Sequence, residues 1–163
     1  MNDYKYLQKK AAEIRGGILK MIFEANSGHT GGSLSSVDIL TVLYYRIMRV
    51  YGDGPDASDR DRFVHSKGHS VEVLYTILAD KGFFPKDELK TFSKYRSRLI
   101  GHPSVKIPGV EVNTGALGHG LSFAVGMAVG ARKTGSDSKV YCYMGDGELA
   151  EGSVWEAAMS AGH

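Results

Sequence analysis

Apolar residues along the chain recur with two different periods. Tyr4, Leu7, Ala11, Ile14, Ile18, Met21 with Ile22, and Ala25 follow one another three or four apart, with lysines and glutamates between them. That spacing predicts an amphipathic helix over 4–25. Asn26-Ser27-Gly28 favours turn or left-handed backbone, so the helix should stop there and a Gly-rich loop should run to Ser33. Ser35, with Asp38 three residues on, resembles a capping box for a second helix that carries Val37, Leu40, Tyr44, Ile47 and Met48 to about Val50. Tyr51 to Arg62, with Gly52, Gly54 and Pro55, is a polar connector, and Arg62 to Ser66 has the length and character of a strand. Val71, Leu74, Tyr75 and Leu78 restore the helical period as far as Gly82, and Pro85 suits the first turn of another helix over Lys86 to Tyr95.

Ser97 to Gly120 has no stable period and contains Pro103, Pro108 and five glycines. A loop of that length inside a compact domain is usually functional. Leu121 to Arg132 reads as a helix, with Gly126 and Gly130 four apart suggesting a face that another backbone approaches. Lys139 to Met144 is a strand, interrupted at Gly145-Asp146-Gly147, and Glu151 to Ala161 is a last helix. Strands alternating with helices predict an α/β fold, a parallel sheet flanked by helices. With only two strands evident, the edge beside Lys139 to Met144 is expected to await strands from elsewhere, and the ending at Gly162-His163 reads as a truncation.

Composition narrows the function classes. The chain has 163 residues, enough for one domain or part of a larger one. Lysine plus arginine number 20 against 18 acidic residues, and the resulting +2 gives no electrostatic case for nucleic acid or an anionic membrane as partner. A single cysteine, Cys142, excludes an intrachain disulfide and makes a reducing cytoplasm the default. No apolar run approaches the roughly 20 residues needed to span a bilayer, and Met1 to Ala12 has no leader-like apolar stretch. The 21 glycines, without a collagen period, direct attention to tight turns and close approaches.

The strand Val140 to Met144 runs straight into Gly145-Asp146-Gly147-Glu148. At the carboxyl end of a parallel strand, a carboxylate between glycines can reach a divalent cation while adjacent N–H groups face a phosphate. A plain Asp-Gly turn is the competing reading of the tripeptide alone. Gly115-Ala116-Leu117-Gly118-His119-Gly120 precedes a helix and forms a second candidate anion loop. His29, His65, His69, His102 and His119 lie in or beside loops, where converging imidazoles would suit proton handling at hydroxyl and carbonyl groups. A zinc site on His65 and His69 is disfavoured, because Gly68 and the strand before it oppose a helix there. Glu156 reads as a solvated helix carboxylate, whereas Glu151 stays open between that and a functional role.

Together, Ser27-Gly28-His29, Asp61-Arg62-Phe63-Val64 with Ser66-Lys67-Gly68-His69, Gly101-His102-Pro103, Gly109-Val110-Glu111-Val112 with Thr114-Gly115, Leu117-Gly118, and Gly145-Asp146-Gly147 with Glu151-Gly152 resemble, in order and spacing, the amino-terminal part of transketolases. The resemblance implies that residues 1–163 form part of the diphosphate-binding domain of a partial thiamine diphosphate-binding fold, without the pyrimidine-binding and carboxyl-terminal domains. It implies thiamine diphosphate and Mg²⁺ or Ca²⁺ as cofactors, with Asp146 a metal ligand and Gly147, His69, Gly115 and Leu117 cofactor contacts. His29 and His102 match positions facing the donor ketose and the reactive carbon of the cofactor. Glu151 resembles a carboxylate that communicates across a dimer interface with the glutamate activating the cofactor. His65 receives no role, and His119 at most a loop contact.

The implied reaction moves a two-carbon ketol unit from a ketose phosphate to an aldose phosphate. The family's metal motif continues to an asparagine past His163, by the need of Mg²⁺ for several oxygen ligands. A second chain carrying the pyrimidine-binding domain, in a homo- or hetero-oligomer, is therefore expected, and the isolated chain should be inactive. The alternatives are another thiamine diphosphate enzyme, of deoxyxylulose-phosphate synthase or dihydroxyacetone synthase type, and a non-catalytic remnant or assembly partner.

Overall fold

The computed structural model describes residues 3–50 and 59–163, so most of the expected connector, 51–58, lies outside the described residues. The first helix forms as its apolar stripe requires: α1 spans Asp3–Ala25 and buries Ala11, Ile14, Ile18 and Met21. Asn26 then takes a left-handed φ of 49°, which its short polar side chain tolerates.

The second helix departs from expectation. α2 spans Thr30–Val42, so the loop before it is only Ser27 to His29, and Gly31 and Gly32 lie in the first turn. No capping box forms, because the Ser35 hydroxyl donates to the Gly32 carbonyl. The start of the helix is satisfied from another element: the Glu72 carboxylate accepts the His29 N–H at 2.8 Å and the Ser33 hydroxyl at 2.6 Å. A tertiary contact thus replaces the local cap and overrides the glycines' preference for loop. The helix closes in a wide π turn over Leu43–Ile47.

Two short strands follow as expected. β1 (Arg62–His65) and β2 (Val140–Tyr143) pair in parallel, with Arg62 opposite Val140 and His65 opposite Tyr143. The buried Asp61 clamps their beginnings, accepting the Lys139 N–H at 2.8 Å and the Arg49 N–H at 2.9 Å. Burial works to raise the Asp61 pKa, but these hydrogen bonds and the Arg49 charge hold it below the usual carboxylate range.

Side chains alternate across the pair. Phe63, Tyr141 and Tyr143 turn toward a core built by α1, α2 and α3 (Val71–Asp80), of which Val71 to Ala79 are all buried. The opposite face receives α4 (Gly120–Lys133), against which α5 (Gly152–Gly162) packs. Val140 and Cys142 line a groove there of about 430 Å³ with Leu121, Val125, Val129 and Ala161. No helix among the described residues is long and apolar enough to cross a membrane.

Two further expectations are corrected. Lys86 to Tyr95 is not a helix; only Lys86–Thr91 coils, as a 3₁₀ turn. Phe92 leaves helical geometry and is buried against Tyr75, ring centroids 6.3 Å apart, while Ser93 and Arg96 adopt positive φ. Burying one aromatic side chain outweighs the modest propensity of the polar run. On α4, a Cβ added at Gly126 or Gly130 would meet nothing within 4 Å, so no backbone among the described residues approaches that face.

Candidate active site

Because β1 and β2 are parallel, their carboxyl ends open at the same edge of the sheet. Ser66-Lys67 turns out of β1 with its N–H groups on the Tyr143 carbonyl, at 2.9 and 3.3 Å. This brings Lys67, at the start of the 3₁₀ turn that carries His69 into α3, beside the Gly145 turn that follows β2; a Cβ on Gly145 would lie 3.6 Å from that of Lys67.

Three imidazoles from three separate segments converge over this edge. The His29 ring centroid lies 5.7 Å from that of His69 and 6.4 Å from that of His102. His102 comes from the long irregular segment, held where its carbonyl accepts the Tyr75 hydroxyl at 2.9 Å. Gly115 lies under His102, where a Cβ would come 3.2 Å from the ring, and its φ of 150° favours glycine. Burial lowers the His69 pKa, and the Lys67, His29 and His102 charges lower it further, against the opposing pull of the Glu148 carboxylate.

Below them a second carboxylate joins the loops. Glu148, 1% exposed, accepts the Gly118 N–H at 2.8 Å, the Gly145 N–H at 3.2 Å, and the Ser66 hydroxyl. Ser66 in turn accepts the Gly120 N–H at 3.2 Å at the start of α4. Ser153 donates to the Gly118 carbonyl at 2.8 Å, tying α5 to the same loop.

The remaining expected residues stand on this frame. Asp146 and Gly147 are exposed on the turn after β2, and a Cβ at Gly147 would meet nothing within 4 Å. Leu117 and Glu151 are exposed, and the base of Glu151 abuts the Gly118 backbone. His119 folds onto its own loop, Nδ1 3.0 Å from the Leu117 carbonyl. His65 stands apart from the cluster: it is buried beneath, with Nε2 2.9 Å from the Ser70 hydroxyl, while His69 faces His29. Among the described residues, no group of three or more His, Cys, Asp or Glu could by itself hold a metal ion. The turn after β2 thus leaves the Asp146 carboxylate exposed, while the buried Glu148 occupies the Gly118 and Gly145 N–H groups beside it.

Sequence reasoning missed Glu72, Ser66 and Glu148. Glu72 had a signal, a lone acid inside the apolar run Val71 to Ala79. Glu148 had none beyond following a Gly-Asp-Gly turn, which suits an ordinary exposed acid equally well.

The sequence pattern described as "Transketolase, thiamine diphosphate binding domain" matches residues 7–163. The chain is 49% identical over 154 residues to an apulose-4-phosphate transketolase subunit of Phocaeicola vulgatus, covering 94% of this chain and 55% of that protein. It is 50% identical over 165 residues to the subunit of the same name in Actinobacillus succinogenes, covering 98% and 58%. The chain thus spans little more than half the length of these curated relatives. Its fold is similar to that of transketolase from Leishmania mexicana, with a TM-score of 0.91 at 37% identity, over 96% of this chain and 25% of that one.

Proposed function

Because the chain belongs to the transketolase family through its thiamine diphosphate-binding domain, we propose that it is the diphosphate-binding part of an enzyme that transfers a two-carbon ketol unit from a ketose phosphate to an aldose phosphate. The observation that carries this reading is the convergence of His29, His69 and His102 at the strand edge that also presents Asp146.

The residues present suit thiamine diphosphate. Asp146 is free to ligate Mg²⁺ or Ca²⁺ together with oxygens from outside this chain's described residues, and the open backbone at Gly147 lets a phosphate approach the turn. His69, Gly115 and Leu117 would line the cofactor. When bound, the cofactor supplies the electron sink for the two-carbon unit. His29 and His102 would grip the ketose hydroxyls and hold or pass protons there, a task to which imidazole side chains are suited. Glu151, exposed beside the Gly118 loop, would face the activating glutamate of a second polypeptide.

Both relatives are named as one subunit of a transketolase, which supports a partner chain that carries the pyrimidine-binding domain, in an oligomeric assembly. The same naming speaks for a transketolase over a deoxyxylulose-phosphate synthase or a non-catalytic remnant. Apulose 4-phosphate, the sugar in both names, is the first donor to assay. The free Cys142 suits a reducing cytoplasm as the site of action.

The test is reconstitution. Mixed with its partner chain, thiamine diphosphate and Mg²⁺, the protein should transfer ketol units, and calorimetry should show metal-dependent cofactor binding that Asp146→Ala abolishes. Ordinary turnover by the 163-residue chain alone, or unchanged cofactor affinity in Asp146→Ala, would refute the assignment.

A further inference from the structure

Glu72 is 0% exposed, and among the described residues no lysine, arginine or histidine side chain forms an ion pair with it. A buried carboxylate without a cation is costly unless strong donors meet it. Here one oxygen takes the backbone N–H of His29 and the other takes the Ser33 hydroxyl one turn into α2. Both donors lie at the positive end of that helix, where a negative charge is best accommodated.

The loop is pressed close onto this acid. A Cβ on Gly28 would come 2.7 Å from Glu72 Oε1 and 2.8 Å from Ile22 Cγ1, and Gly28 has a φ of 145° that side chains rarely adopt. The Ser27 to His29 loop therefore has little freedom apart from what this carboxylate fixes. An apolar residue would have continued the Val71 to Ala79 run and sealed α3 equally well. What the acid adds is a bond to the backbone of His29 itself.

We infer that Glu72 is a positioning residue for His29: from beneath, it fixes where that imidazole stands relative to His69 and His102, and so whether it meets the donor sugar. This rests on the ketol-transfer reading above. Displacing a reacting group by about 1 Å commonly costs on the order of a hundredfold in rate.

The experiment uses the reconstituted assembly with thiamine diphosphate and Mg²⁺, comparing wild type with Glu72→Ala and Glu72→Gln. In Glu72→Ala the His29 amide should exchange with solvent at least about tenfold faster while the amides of β1 keep their protection. With donor sugar, kcat should fall about 10- to 100-fold while cofactor affinity stays within about twofold. Glu72→Gln, whose amide oxygen still accepts one of the bonds, should recover most of the loss. On a His29→Ala background, Glu72→Ala should cost less than about twofold, because a residue acting through His29 has nothing left to position. Unchanged exchange at His29, or an equal loss on both backgrounds, would overturn the inference. Should Glu72→Ala not fold, Glu72→Asp carries the same readouts, since it keeps the charge but withdraws it from the donors. Absence of turnover in wild type counts against the functional reading alone, and the exchange result then decides the role of Glu72.

Discussion

Glu148 accepts the N–H of Gly118 at 2.8 Å, joining a turn that follows β2 to a loop thirty positions earlier in the chain. The same carboxylate holds the Gly145 N–H and the Ser66 hydroxyl, so one buried group sets the spacing of three site-forming segments. Glu148→Ala would strand these donors, each costing about 1–3 kcal/mol when buried without a partner. We expect an overall loss of about 3 kcal/mol in urea unfolding of the chain, with Glu148→Gln intermediate because its amide presents a donor to one of the N–H groups. Loss below about 0.5 kcal/mol for Glu148→Ala would refute the role.

Two glycines of α4 should respond to alanine with opposite sign. A Cβ on Gly120 would run into the Ser66 side chain and lies 3.0 Å from its Cα, so Gly120→Ala should destabilise by about 1–3 kcal/mol through overpacking. At Gly126 the same atom enters open space, and the gain in helix propensity should stabilise the isolated chain by about 0.5–1 kcal/mol. Paired thermal melts of the two variants give the comparison.

His65 predicts how stability depends on acid. Burial, with the Lys67 and His69 charges, pushes its pKa down to about 3, against an unfolded value of about 6.5. The folded imidazole stays neutral while the unfolded one takes up a proton, so the stabilisation is complete above the unfolded pKa and is lost as pH falls below it. Unfolding free energy should drop by roughly 1 kcal/mol per pH unit between about pH 6 and 4.5. His65→Gln should flatten that slope, leaving the smaller contribution of His69, whose pKa is lowered in the same direction.

The lone thiol should be sluggish. Burial and the Glu148 charge raise the Cys142 pKa to about 12, so thiolate at pH 8 is about one part in ten thousand. Alkylation by iodoacetamide at pH 8 should be at least about a hundredfold slower in the folded chain than in urea. Equal rates would show that the thiol is not held in this environment.

The elements written most plainly in the sequence are those whose stabilisation is local or periodic. The stripe from Tyr4 to Ala25 becomes α1 because its period selects one face, and the apolar runs around Val64 and Val140 become β1 and β2 because they are short, apolar and bounded by turn residues. Where distant contacts decide, local reading fails. The start of α2 is moved to Thr30 by an acid on α3, and the helix expected after Pro85 is broken by the burial of Phe92. The same division holds at the site. His29, His69 and His102 were among five histidines expected in or beside loops, and the structure brings these three together. Of the buried carboxylates, Glu72 showed only as an acid inside an apolar run and Glu148 not at all, since a buried acid and a solvated one are the same letter until their donors are known.

The crossing of Gly68 beneath Thr114 is too tight for any larger residue: a Cβ there would lie 2.6 Å from the Thr114 hydroxyl and 3.1 Å from its carbonyl carbon. The Thr114 hydroxyl is also fastened to the His65 carbonyl at 2.9 Å. A strip of chain riveted in its middle to the end of a sheet strand cannot swing like a door. Residues 97–119, though devoid of helix and strand, are thereby moored to the sheet at Thr114 and to α3 through the His102 carbonyl, which accepts the Tyr75 hydroxyl, so His102 hangs between two fixed points.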